Sequence, residues 1–175
     1  MKRITILVAA LCLSASAEAQ SLPERTGMNS MTGTAPSTAD FVKIATISDL
    51  FEIGSSELAL QNQNQAITTF ATRMVEDHKK TSAALKDLVS SSNLQAAQPT
   101  TMDESHQKLL DSLKKLHGDL FVRQYRKDQI SGHEDAVSLF RRYAQGGENA
   151  ALKNWATQTL PTLEDHLKMA RSLPE

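Results

Sequence analysis

The sequence predicts an all-α protein, a four-helix bundle whose one long crossover carries a short extra helix. Three observations predict it. Apolar residues recur at steps of three, four and seven through four long stretches, which is the period of an amphipathic helix. Polar or glycine-bearing breaks separate those stretches. No segment alternates apolar and polar residues as a half-buried strand does, and no internal repeat is visible.

The first element is not structural. In MKRITILVAALCLSASAEAQ, Lys2 and Arg3 form a positive start, and Ile4 to Leu13 form an apolar run of about ten residues, too short to span a bilayer comfortably. Ala15-Ser16-Ala17 and Ala17-Glu18-Ala19 are small-x-small sites. Residues 1–19 therefore read as a secretory signal peptide, cleaved after Ala17 or, preferably, Ala19. A retained membrane anchor is the rival reading. The bacterial style of the signal sends the mature chain to the periplasm, free or associated with the envelope, with no transmembrane helix. Cys12, the only cysteine, lies inside the apolar run, and Leu11 stands where a lipoprotein site needs a small residue. The mature chain then has no thiol, which excludes disulfides, thiolate metal ligands and a cysteine nucleophile. Packing alone must stabilise it in an oxidising compartment. Removing Lys2, Arg3 and Glu18 takes the formal net charge from −1 to −2. No basic stripe remains, which argues against a nucleic-acid partner. The expected assembly is a monomer or weak homo-oligomer.

Residues 20–38 are rich in Ser, Thr, Gly and Pro and lack an apolar period, so they read as a disordered leader. The domain spans 39–173. Its first helix runs from Asp40 to about Leu60, with Phe41, Ile44, Ile47, Phe51 and Leu58 in period and Ser37 or Thr38 as cap. Residues 61–64, QNQN, form a turn. The second helix runs from about Gln65 to Val89 and carries Ile67, Phe70, Met74, Leu85 and Leu88. Serines, Asn93 and Pro99 break it. Thr101-x-x-Glu104 has the form of a capping box and opens a short helix through Leu109, Leu110, Leu113 and Leu116. Gly118 permits a bend. The third long helix runs from about Asp119 to Ala144, through Phe121, Tyr125, Ile130, Val137 and Phe140. Gly146-Gly147 stops it, as glycine tolerates a left-handed cap. The last helix runs from about Glu148 to Leu173 and should kink at Pro161.

Two antiparallel hairpins result, joined by about thirty residues, enough to cross the bundle lengthwise. Four helices with one long crossover are the plan of ferritin-like folds.

Three histidines fall on or near the apolar faces. His78 follows Met74 by four residues, His133 precedes Val137 by four, and His166 follows Leu163 by three. A buried imidazole must find partners for both nitrogens. The motifs around them, MVEDHKKTSAAL, FVRQYRKDQISGHEDAVSLF and LPTLEDHLKMARSL, in that order, resemble the family catalogued as domain of unknown function 4142. The resemblance covers about residues 39 to 173. It implies an exported bacterial ferritin-like bundle, with an acidic position at Glu52, the pair Asp77-His78, Tyr125, His133 and His166. One position departs from it: Val122 stands where the family often has an acid. The resemblance supplies fold and location, not a reaction.

Helical rise places these residues along the bundle. At about 1.5 Å per residue from the first turn, Glu52 lies roughly 15 Å down and His78 roughly 22 Å. A crossover that restarts the third long helix at that turn puts His133 level with His78. Counting back from Gly146-Gly147 puts His166 near Glu52 and Tyr125. Two layers about 7 Å apart are expected, His78 with His133 and Glu52 with His166. Glu76, Asp77, Glu134, Glu164 and Asp165 neighbour the histidines in sequence; since adjacent residues diverge by about 100° around a helix, most should face solvent.

The residues Glu52, His78, Tyr125, His133 and His166 support two functions. One is a core hydrogen-bond network in a non-enzymatic envelope module for binding or stress protection. The alternative is a metal-binding or metal-dependent redox protein holding Fe, Zn, Cu or Mn, although the Glu-x-x-His motifs of di-iron bundles are absent from the sequence. No catalytic residues are assigned: there is no defensible Ser-His-Asp order, phosphate loop or zinc-protease motif. His106, His117, residues 113–115 and residues 141–143 read as solvated surface, and Met28 and Met31 as weak soft-metal candidates.

Overall fold

The computed structural model describes residues 20–62, 64–92 and 94–175, so the segment read as a signal peptide lies outside the described residues. Among these residues the chain is all-helical, without a strand. In order come α1 (Leu22–Arg25), α2 (Met28–Thr32), α3 (Thr38–Gln61), α4 (Gln65–Ser91), α5 (Glu104–Leu113), α6 (Gly118–Gly146) and α7 (Ala150–Arg171). No helix among them is long and apolar enough to cross a membrane.

Short polar side chains start the helices. Ser37 Oγ accepts the amide of Asp40, Asn64 that of Ala66, and Asn149 that of Leu152, each satisfying one free N–H of a first turn. The capping box expected at Thr101 is not the cap used. Asp103 caps α5 instead, accepting from the backbone amide of His106 at 2.9 Å, because a carboxylate also gains from the helix dipole. Gly118 has φ of +54° and makes the bend between α5 and α6. The stop at Gly146-Gly147 differs from the left-handed cap expected: Gly147 has φ −62° and ψ 142°. Glycine is needed there for space, since a Cβ on Gly147 would lie 2.6 Å from the Tyr143 ring and carbonyl oxygen.

The four long helices are α3, α4, α6 and α7, and each antiparallel pairing is readable from side chains. Thr38 meets Tyr143 at one end of α3 and Ser56 meets Tyr125 at the other, so α6 runs opposite to α3. Arg73 reaches Met169 and Asp77 reaches His166, so α7 runs opposite to α4. The α6–α7 pair is fixed by Arg126 on the Leu173 carbonyl and Arg141 on Glu164. It follows that α4 and α6 run the same way. Their connection starts at the end packed around Phe41, Phe140 and Tyr143 and finishes at the end packed around Ile67, Phe121 and Leu173. On the way α5 lies over α3 and α6.

This arrangement splits the core. One apolar cluster holds Phe41, Leu85, Phe140, Tyr143, Leu152 and Leu163; the other holds Ile67, Phe70, Met74, Leu113, Phe121 and Tyr125. Between them along all four helices lie buried polar residues: Asp49, Glu52 and Ser55 on α3, His78 on α4, Gln129 and His133 on α6, and His166 on α7.

Two surface readings need correction. Residues 20–38 are not an irregular leader throughout, since α1 and α2 dock on the bundle. Glu24 pairs with Arg142 at 2.8 Å, and the Ser21 amide donates to Asp40. Leu113, Arg142 and Tyr143, read as solvated, are buried. Tyr143 stacks on Phe41 with ring centroids 3.9 Å apart, and Arg142 needs Glu24 because a buried guanidinium must be paired.

Candidate metal centre

Each of the three histidines is placed by its own helix and anchored through one ring nitrogen. His78 Nδ1 lies 2.8 Å from Asp49 Oδ1. His133 Nδ1 lies 2.8 Å from the Gln129 carbonyl one turn earlier on α6. His166 Nε2 lies 3.1 Å from Asp77 Oδ2 on α4. Asp49 is itself held by the hydroxyls of Thr81 and Ser82, both donating to Oδ2 at 2.9 Å. Asp77 is held by Arg73 and Lys80.

The other nitrogens are left over. His78 Nε2, His133 Nε2 and His166 Nδ1 are buried and have no hydrogen-bond partner among the described residues. The rings face one another, with centroids 5.6 Å, 5.4 Å and 5.5 Å apart. One nitrogen from each lies within 4.8 Å of the other two. A metal ion bound by three imidazoles at about 2.1 Å needs nitrogens roughly 3.4 Å apart, so small ring movements close the set.

Hydrogen-bond roles fix what these nitrogens present. A carbonyl oxygen only accepts, so His133 Nδ1 carries the hydrogen. Carboxylates draw the hydrogen to His78 Nδ1 and His166 Nε2 in the same way. In the neutral rings, each of the three buried, partnerless nitrogens then keeps a lone pair. Burial and the neighbouring rings push His166 down to about 4. Burial lowers His133 too, against the pull of Glu52. For His78 burial acts downward, but the Asp49 hydrogen bond and charge outweigh it and raise the ring above its usual value. Asp77 is lowered: burial opposes this, yet bonds from His166, Lys80 and Arg73 win.

The layers differ from those counted along the sequence. His166 stands with His78 and His133 in one layer, not with Glu52 in another. Glu52 lies beside that layer, 2% exposed, with Oε1 3.8 Å from His133 Nδ1 and Oε2 unpartnered. Tyr125 belongs to the adjoining apolar cluster; its hydroxyl pairs with Ser56 at 2.8 Å and burial pushes the phenol up. Val122 is buried among apolar neighbours. Of the acids next to the histidines, Glu76, Glu134, Glu164 and Asp165 are exposed as expected, whereas Asp77 is half-buried on His166. His106 bonds Asp103 and meets the edge of Phe51; His117, Met28 and Met31 are exposed.

Sequence reasoning missed Asp49 and Asp128. A signal existed for both. Asp49 falls in the register of Phe41, Ala45 and Glu52, and Asp128 follows Phe121 by seven and Tyr125 by three, so each is a charge inside an apolar stripe.

Among the comparisons with known proteins, the model of the family described as Domain of unknown function (DUF4142) matches residues 23–173. No curated protein and no solved structure matches the chain.

Proposed function

The chain belongs to the DUF4142 family, and on that premise we propose that it is a metal-binding helical bundle whose ligands are His78, His133 and His166. The observation that carries this reading is a cluster of three buried histidines, each with one ring nitrogen within 4.8 Å of the others and each with one nitrogen left without a partner among the described residues. A purely structural network leaves each of them unsatisfied, which costs about 1–3 kcal/mol per group. A cation accepts all three lone pairs at once. The outward nitrogens are already held by Asp49, Asp77 and a carbonyl, which is the outer arrangement that orients metal-ligating imidazoles. Asp49 and Glu52, buried beside the rings, also supply negative charge that a divalent ion balances.

Three neutral imidazoles suit Zn, Cu, Fe or Ni better than Mn, which favours oxygen ligands. Three protein ligands leave a fourth position for water, a small ligand or Glu52 Oε2. Withholding a redox-active ion in a dry interior is also a non-enzymatic form of stress protection, so the two roles read from the sequence meet here. The proposal extends to fold and location. The all-antiparallel neighbours and end-to-end crossover support a ferritin-like four-helix bundle, and the composition of residues 1–19 supports export to the periplasm.

Elemental analysis of the periplasmic protein, purified without a metal-affinity tag, should find a divalent metal near one per chain. His78→Ala combined with His133→Ala should remove it. A wild-type protein that neither retains nor takes up Zn, Cu, Fe or Ni would overturn the reading.

A further inference from the structure

The imidazole layer is buried, so an ion needs a way in. One cleft, of about 640 Å³, runs between α3, α5 and α6 under the α1–α2 segment. Glu52 forms part of its wall and also stands 3.8 Å from Nδ1 of His133, so one side chain borders both the cleft and the layer. Gly132 opposes it on α6. A Cβ there would lie 2.8 Å from Glu52 Oε1, so the missing side chain is what lets the carboxylate sit where it does. One turn earlier on the same face, Asp128 also lines the cleft. It is 8% exposed, its Oδ1 is taken by the Gln124 amide at 2.7 Å, and its Oδ2 has no partner among the described residues. Asp103 and Asp135 add further carboxylates. Among the described lining residues, Glu24 and Arg142 pair with each other, which leaves the carboxylates of Glu52, Asp103, Asp128 and Asp135 facing Arg25 and Lys127.

We propose that this cleft is the route by which a divalent cation reaches the histidines, with Asp128 as the docking carboxylate and Glu52 as the one that passes the ion inward. The inference rests on the metal-binding reading above. Two buried carboxylate oxygens without partners among the described residues, Glu52 Oε2 on α3 and Asp128 Oδ2 on α6, belong to facing walls of one cleft and form successive stations for a hard or borderline cation that is shedding water. The fixed negative charge of the cleft raises the local concentration of cations and hence the encounter rate. The groove between α4 and α7 is less suited, since Arg73 and Lys168 line it with Asp165 as the only carboxylate among its described lining residues.

The test is stopped-flow uptake of Co(II), followed by its visible absorption, into the metal-free full-length mature protein. Asp128→Asn keeps size and should slow uptake about tenfold at low salt, with equilibrium occupancy unchanged. Asp135→Asn, at an exposed position, should slow it less, which keeps the test alive should Asp128→Asn fold poorly. Lys168→Glu, in the other groove, should leave the rate alone. Wild-type uptake rates in both aspartate variants would overturn the route while leaving the site intact. An acceleration by Lys168→Glu would move the route to α4 and α7 and overturn it too. A fall in affinity equal to the fall in rate would make Asp128 a ligand rather than a station, again overturning the route. No cobalt binding by the wild type would instead overturn the metal reading itself.

Discussion

Asp49 Oδ1 lies 2.8 Å from His78 Nδ1 across the contact of α3 with α4, and both side chains are buried. The carboxylate fixes the tautomer, turns Nε2 toward the other two rings and raises the basicity of the imidazole. Asp49→Asn removes the charge at constant size. It should weaken metal affinity about 10- to 100-fold, the usual effect of losing such an outer partner. Competition with a chromophoric chelator measures this. Equal affinity in wild type and variant would mean that His78 is not a ligand.

The metal-free protein should lose stability on acidification. His166 and His133 titrate below their unfolded value of about 6.5, His166 at about 4. A depressed histidine stays neutral in the fold while the unfolded chain takes up the proton. Its contribution is thus complete above about 6.5 and is lost as pH falls through the window from there to about 4. His78 is raised and acts in the opposite sense, its contribution being present at low pH and lost as pH rises through its folded value. Two rings against one give a net fall. The melting temperature of the metal-free protein should drop from pH 7 to pH 4, and more steeply once metal is bound, because protons compete for the same nitrogens. A flat profile would show that the rings are not buried neutral.

His133 tests the layer from its centre. It is 1% exposed and packs against Phe70, His78 and His166. His133→Ala leaves a cavity and frees the Gln129 carbonyl from its side-chain donor. The expected loss for the metal-free protein is about 1–3 kcal/mol, read from urea or thermal unfolding. An unchanged midpoint would contradict the burial.

The helices, their breaks and the inward direction of all three histidines were legible because each rests on local periodicity and on short polar or glycine punctuation. Ser37, the break between Gln61 and Gln65, and Gly118 fall where the sequence places them. The level of His166 was not legible. Rise per residue locates a side chain along its own helix, but the offset between helices is set by tertiary packing, and one turn of offset, about 5.4 Å, is enough to merge two expected layers. Asp77 escaped for a related reason. It points about 100° away from His78, which on an isolated helix means solvent. On α4, which touches both α3 and α7, that direction meets His166. Pairings such as Glu24 with Arg142, 118 residues apart, have no local signature at all.

That distant pair yields the last prediction. Arg142 Nη2 and Nη1 donate to the two Glu24 oxygens at 2.8 and 3.2 Å, and Nη1 also donates to the Thr34 carbonyl at 2.9 Å. Both side chains are at least nine-tenths shielded from solvent. Removing one charge from a buried pair costs more than the pair contributes, since the other is stranded. Glu24→Gln retains a hydrogen-bond acceptor, and Arg142 retains Thr34, so the loss should be about 1–3 kcal/mol, below that of a fully broken pair. Release should be local, because α1 and α2 have no buried residue of their own. Limited proteolysis should therefore cut residues 20–36 faster in the variant while α3 to α7 stay resistant. High salt should reproduce little of this effect in the wild type, since a shielded pair is weakly screened. Equal cleavage rates in wild type and variant would mean that the pair does not hold the segment in place.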